Sequence, residues 1–392
     1  MSASRVAGLP ALACAAYFLA ALVADAIGSI LPLAMAELRV GLQLAGAFQY
    51  LPAAAVAVVA LGAVFLVDRL GAARTVLAGL ALFAAAALAL QALPGVAAAL
   101  VLVVLAGVGI SLFKLGTVAM LGRLSLSPAR HGALMTAVEG CYATGSVAAP
   151  LLVMALERGG AGWRGLYLLA AAIALLLWLC FLPFRERAAA PLTVAAVVPP
   201  EPVLREPVAW WFGGLLGVYV AVELAVCVWL PTLLIELGVA ATTAALALTV
   251  FFALRAAGRF AGIALLRRFR WPPVLALCGV LAFGCTLSGS VGDAGLALWS
   301  LPASGLFLAL MYPTLNSHVI SRFESRRQGA VAALTTFCSA AAAALGTAAI
   351  AAAGEAAGSL RRGFLVATVL AAVLALLLVW QAWRRPAFMR LP

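Results

Sequence analysis

The sequence predicts an all-α integral membrane protein of twelve transmembrane helices, arranged as two six-helix bundles. Three observations carry that reading. First, 66% of the 392 residues are hydrophobic and only 10% are charged, against roughly 25% charged in a soluble domain. Second, apolar runs of twenty residues or more recur along the chain, each long enough to cross a bilayer. Third, the basic residues fall almost wholly in alternate loops. A mean hydropathy of +1.17 exceeds what a water-soluble core explains.

Taken in order, the predicted spans are 9–34, 43–67, 72–92, 96–121, 132–156 and 163–183, then 209–235, 241–265, 272–291, 294–320, 329–353 and 362–381. The first is too long for the apolar core of a signal peptide and reads as a membrane span. The polar stretch 185–208, rich in Pro, Arg and Glu, separates an amino-terminal bundle (1–184) from a carboxy-terminal one (209–392). Of the 25 Lys and Arg residues, seventeen fall on the side of the termini and linker. Five (Arg39, Arg158, Arg164, Arg361 and Arg362) fall on the other, and Lys114, Arg255 and Arg259 lie within spans. By the positive-inside rule both termini and the linker are cytoplasmic. Trp210, Trp211, Trp380 and Trp383 stand at span ends on that side, where an aromatic belt belongs.

Composition also excludes. The net charge of +12 is topological rather than a nucleic-acid footprint. The seven cysteines all lie in apolar segments without a CxxC, and read as small buried hydrophobes. No HExxH, GxSxG or GxxxxGK[ST] occurs, which argues against a membrane-embedded enzyme or an ATP-driven pump. No cofactor and no metal site is expected.

Six spans, a cytoplasmic linker and six more spans form the plan of the major facilitator superfamily. Local motifs carry the resemblance further. Residues 65–74, FLVDRLGAAR, resemble the superfamily loop G-x-L-A-D-R-x-G-R-K: Asp68, Arg69 and Gly71 match it, while Val64 replaces the first glycine. An Asp–Arg pair at a helix end can hold one conformation until it breaks. In the second half, 255–269 (RAAGRFAGIALLRRF) resembles the eighth span of the fucose–galactose–glucose proton-symporter family. So do VYVAVE at 218–223 and MYPTL at 311–315. The resemblance implies proton-coupled transport of a monosaccharide or polyol by a monomer in the cell inner membrane.

Charges within spans are expensive, roughly 2.5–3.5 kcal/mol each on insertion scales, and mark function by default. Lys114, in VGISLFKLG (108–116), and Glu139, in MTAVEGCY (135–142), lie about 10 Å from one end of consecutive antiparallel spans, at 1.5 Å per residue. They are expected to meet as an ion pair or a substrate site. Asp25 and Glu223, near the middle of the first and seventh spans, are candidate proton carriers. Arg255 can bind an anion or pair with an acid, and Arg259 lies with Asp68, Arg69 and Gly71 among the expected conformational gates. Gln49, Tyr50, Tyr312 and Asn316 are candidate ligand contacts, and Pro313 removes a backbone hydrogen bond beside the last two. His318, near a span end, reads as structural. The expected partners are a small polar solute, protons and the lipid bilayer, with no nucleic acid. Three intramembrane cations motivate the alternative of an organic-anion carrier or exporter, because a neutral sugar needs none.

Overall fold

The computed structural model describes residues 3–124, 128–184 and 201–384. Among these the chain is helical: α1 (Ala3–Ala24), α2 (Ile27–Leu38), α3 (Leu42–Leu70), α4 (Ala72–Ala92), α5 (Val96–Leu124), α6 (Pro128–Arg158), α7 (Arg164–Phe181), α8 (Glu201–Leu204), α9 (Pro207–Glu236), α10 (Ala241–Arg268), α11 (Trp271–Val291), α12 (Ala294–Leu308), α13 (Met311–Ile320), α14 (Ser325–Ala357) and α15 (Leu360–Arg384). Eleven helical stretches are long and apolar enough to cross a membrane, and a bent pair makes a twelfth. Large apolar side chains such as Leu176 and Leu376, 61% and 69% exposed, face outward, as a lipid-facing surface requires.

Two predicted spans are broken. The first is α1 and α2, bent by 42°, with Asp25 and Ala26 between them. The tenth is α12 and α13, separated at Ala309 and Leu310. Pro313 explains the second break, but not at its own position. A proline leaves the carbonyl four residues earlier without its donor, and that carbonyl belongs to Ala309. Pro313 itself sits in the first turn of α13, where a missing N–H costs nothing. At the linker, 185–200 lies outside the described residues. The segment leading into α9 is packed: Val203 is buried, the Trp210 indole donates to the Leu204 carbonyl at 2.8 Å, and α9 starts at Pro207.

Within the first half, α4 packs on α5 through glycines. A Cβ on Gly79 would meet the backbone of Gly109 and Phe113, the close approach that small residues allow between membrane helices. Between the halves, α3 packs on α14, α6 on α10, and α2 on α9. Gly28 permits the α2–α9 contact, since a Cβ there would strike the Cys227 carbonyl.

The end of the molecule away from the chain termini is pinned by polar contacts. The Glu355 carboxylate of α14 accepts from the Gln43 amide at 3.2 Å, capping α3 across the two halves. Glu236 accepts from the Ser359 hydroxyl at 2.6 Å and the Leu360 amide at 2.8 Å. Arg361 donates to the carbonyls of Ser290, Val291 and Gly292 at 2.8, 2.7 and 2.6 Å. Arg164 pairs with Glu37 at 3.1 Å. Two of the few arginines on this side are therefore structural pins for helix ends, whose last carbonyls otherwise lack donors.

Removing the acceptor tests the cross-half cap. Glu355→Ala is expected to raise amide hydrogen exchange at 42–45 about tenfold, equivalent to a cap worth roughly 1.4 kcal/mol. Unchanged exchange there would show that the cap does not hold this end.

Candidate functional site

The charged residues within the spans gather where the halves meet, in two layers about one to two turns apart. Helical spacing creates the layers. Tyr17 on α1 stands eight residues before Asp25 in the α1–α2 break, Glu139, Tyr142 and Ser146 follow i, i+3, i+7 on α6, and Tyr219 and Glu223 follow i, i+4 on α9. Arg255 and Arg259 follow i, i+4 on α10, which runs antiparallel to these three. Such spacings put each set on one helix face.

The layer farther from the termini centres on Arg255. Its guanidinium donates to Glu223 Oε1 at 2.9 Å and to Asp25 Oδ2 at 3.2 Å. Ser146 Oγ donates to the same Asp25 oxygen at 2.5 Å and lies 3.3 Å from the guanidinium. The Phe252 ring faces Arg255 at 4.8 Å. Asp25 and Arg255 are each only 8% exposed. Four helical elements thus converge: the α1–α2 break, α6, α9 and α10. Arginine suits this position because its planar fork bonds two acceptors at once and it stays charged.

The layer nearer the termini holds Lys114, Tyr17, Tyr142, Glu139 and Arg259. The Lys114 ammonium lies 4.6 Å from the Tyr142 ring centroid and 5.1 Å from that of Tyr17. The two rings meet edge to face at 6.4 Å. Glu139 is directed at Arg259 of α10, 3.7 Å away. Lys114 and Glu139 thus share a layer and act on each other electrostatically, but the ion pair that Glu139 makes is with Arg259 rather than Lys114. Equal depth on antiparallel helices does not fix azimuth. Lys114 turns to the tyrosines of α1 and α6, while Glu139 faces the other half. Arg259, expected among the gates, is the partner of that carboxylate.

Of the remaining candidates, Tyr312 packs its ring 6.2 Å from Tyr219. Asn316 Oδ1 accepts from the Thr335 hydroxyl at 3.3 Å, tying α13 to α14. Gln49 and Tyr50 are half-buried in α3 and make no hydrogen bond to either layer. Gly71 has φ 82° and starts α4, so the loop requires a glycine there. Arg69 is exposed, and the Asp68 side chain lies outside the described residues. His318 packs on Trp271 at 4.6 Å and accepts from Arg322 at 3.2 Å, a structural arrangement. Sequence reasoning passed over Ser146, Tyr17, Tyr142 and Phe252. The i, i+3, i+7 stripe around Glu139 was the available signal for the α6 pair.

The Major Facilitator Superfamily model matches residues 13–347 of the chain. No curated protein matches it by sequence. Among solved structures it resembles a bacterial homologue of the human lysosomal transporter Spinster in an inward-facing, unoccupied conformation, with TM-score 0.81 and 13% identity over 97% of this chain and 98% of that one. A D-xylose–proton symporter gives TM-score 0.77 at 14% identity, covering 97% of this chain and 98% of its own. The E. coli fucose:proton symporter gives 0.66 at 18%, covering 95% and 98%.

The Arg255 bridge makes a stability prediction. Arg255→Met leaves two carboxylates buried and unpaired, and removing one partner of a buried ion pair costs about 3–5 kcal/mol. Thermal unfolding of purified protein should show that loss, with part of it regained when Asp25→Asn is added. Equal stability of Arg255→Met and the parent would show that the bridge carries no such load.

Proposed function

Because the chain belongs to the Major Facilitator Superfamily, and is thus a membrane transporter rather than an enzyme, we propose that it is a proton-coupled secondary transporter of a small polar solute. The observation that carries this reading is the Arg255 bridge between Asp25 of one half and Glu223 of the other. In alternating access one bundle rocks against the other around a site between them. A cross-bundle ion pair opposes that motion while it is intact. Arginine does not release its proton, so the bridge is loosened from the carboxylate side: a proton on Asp25 or Glu223 removes the charge that holds Arg255. Return of that proton to the opposite compartment restores the bridge.

The halves 1–184 and 209–392 are the two rocking bodies, and the termini lie in the cytoplasm of a cell whose inner membrane the protein spans. With that orientation, the contacts of Gly28, Gly46 and Glu355 close the outer end. The sugar symporters among the structural neighbours, together with the motifs of the second half, favour a monosaccharide or polyol as the solute, whereas the intramembrane cations Lys114, Arg255 and Arg259 favour the alternative, an organic anion.

The test is uptake into proteoliposomes under an imposed pH gradient, with solutes first chosen from sugars, polyols and organic acids by their thermal stabilisation of the purified protein. Asp25→Asn and Glu223→Gln are expected to lose gradient-driven accumulation about tenfold or more while retaining solute exchange without a gradient. Accumulation that survives both substitutions would remove the bridge from the coupling mechanism.

A further inference from the structure

The two layers are not charged alike. The Arg255 layer holds two carboxylates and one guanidinium, an excess of one negative charge that a proton can neutralise. The layer nearer the termini holds Lys114, Arg259 and Glu139, an excess of one positive charge. Among the described residues no carboxylate comes within ion-pair distance of Lys114. Its near neighbours are the faces of Tyr17 and Tyr142, and the small apolar cluster of Ala13, Tyr17, Leu121 and Val138 lies beside them. Aromatic faces attract a cation but do not cancel its charge. Glu139 and Asp25 act on this lysine only at longer range, and an intramembrane cation with no carboxylate in direct contact is a candidate ligand site.

We propose that Lys114 and Arg259 together receive the carboxylate of a small organic anion, with Glu139 as the built-in competitor that holds Arg259 when the site is empty. This deepens the transporter reading and rests on it, but not on the choice of coupling ion. The geometry separates the cations by availability. Arg255 is buried and held by two carboxylates at 2.9 and 3.2 Å. Arg259 has one partner at 3.7 Å, and the two side chains are 30% and 49% exposed. The longer, less enclosed Glu139–Arg259 pair is held less tightly than the Arg255 bridge. An entering carboxylate therefore takes Arg259 from Glu139 and gives Lys114 the direct ion-pair contact that Glu139 and Asp25 do not make. A neutral sugar does neither. The tyrosine rings beside Lys114 give the carbon skeleton a face to pack on, which suits a short chain or a single ring.

The experiment compares binding of matched probes to the purified full chain by calorimetry: acetate, lactate, succinate, D-glucuronate and D-gluconate, with the neutral alcohol D-glucitol as control. At least one carboxylate is expected to bind, and D-glucitol at least about tenfold more weakly. Lys114→Gln should weaken the carboxylate about tenfold or more, Lys114→Arg should keep most of the affinity, and Glu139→Gln should tighten it by freeing Arg259. If Lys114→Gln does not fold, the other two variants still decide. D-glucitol binding as well as the acids, no acid binding at all, affinities unchanged in Lys114→Gln, affinities lost in Lys114→Arg, or affinities unimproved in Glu139→Gln would each overturn the proposal. Proton-driven uptake of a neutral sugar with no carboxylate binding would sink it and leave the transporter reading standing. Carboxylate binding without any transport would do the reverse.

Discussion

One buried guanidinium determines how the two halves of this molecule can sit. Arg255 reaches Asp25 from one half and Glu223 from the other, and none of the three is tolerable in an apolar interior alone. Desolvation makes each charge costly, and only mutual pairing with additional hydrogen bonds offsets that cost. Ser146 contributes such a bond by donating to Asp25. The discontinuity between α1 and α2 then has a use: it brings Asp25, at the start of α2, to the centre of the interface. A carboxylate at that position is also favoured by the positive end of the following helix.

Close glycine packing and polar pairs both occur inside the halves and between them, and they respond differently to movement. Within the first half, α4 and α5 interlock through glycines, and such packing is lost entirely if the helices separate by an ångström or two. Between the halves the contacts include ion pairs, a carboxylate capping a helix, and a glycine set against a carbonyl. Polar pairs of this sort have alternative partners in water, solute or protons, so they can be exchanged rather than simply lost.

Much of this was legible in the sequence, because hydropathy reports on the solvent around a helix and loop charge reports on its ends. Every span was found, and the candidate acids and bases of both layers were singled out. What was not legible is pairing. Asp25 and Arg255 are 230 residues apart, and nothing in either segment encodes the rotation that turns them together. The same limitation hid Arg259 as the ion-pair partner of Glu139, because depth alone does not give the azimuth each residue adds along a helix. Pro313 gave a true signal read one turn away from its effect, since a proline disturbs the carbonyl behind it. Ser146 was overlooked because a lone serine in a small-residue helix looks like packing.

The six charges of the two layers also have an electrical meaning. Asp25, Glu139 and Glu223 oppose Lys114, Arg255 and Arg259, so the central set sums to zero when all are ionised. A charge carried through the membrane field is worth about 2.3 kcal/mol per 100 mV, a bias that would favour one orientation of a charged carrier. With a balanced centre, the fully ionised protein feels little of that bias, and a proton bound at Asp25 or Glu223 would add the one charge on which the membrane field acts.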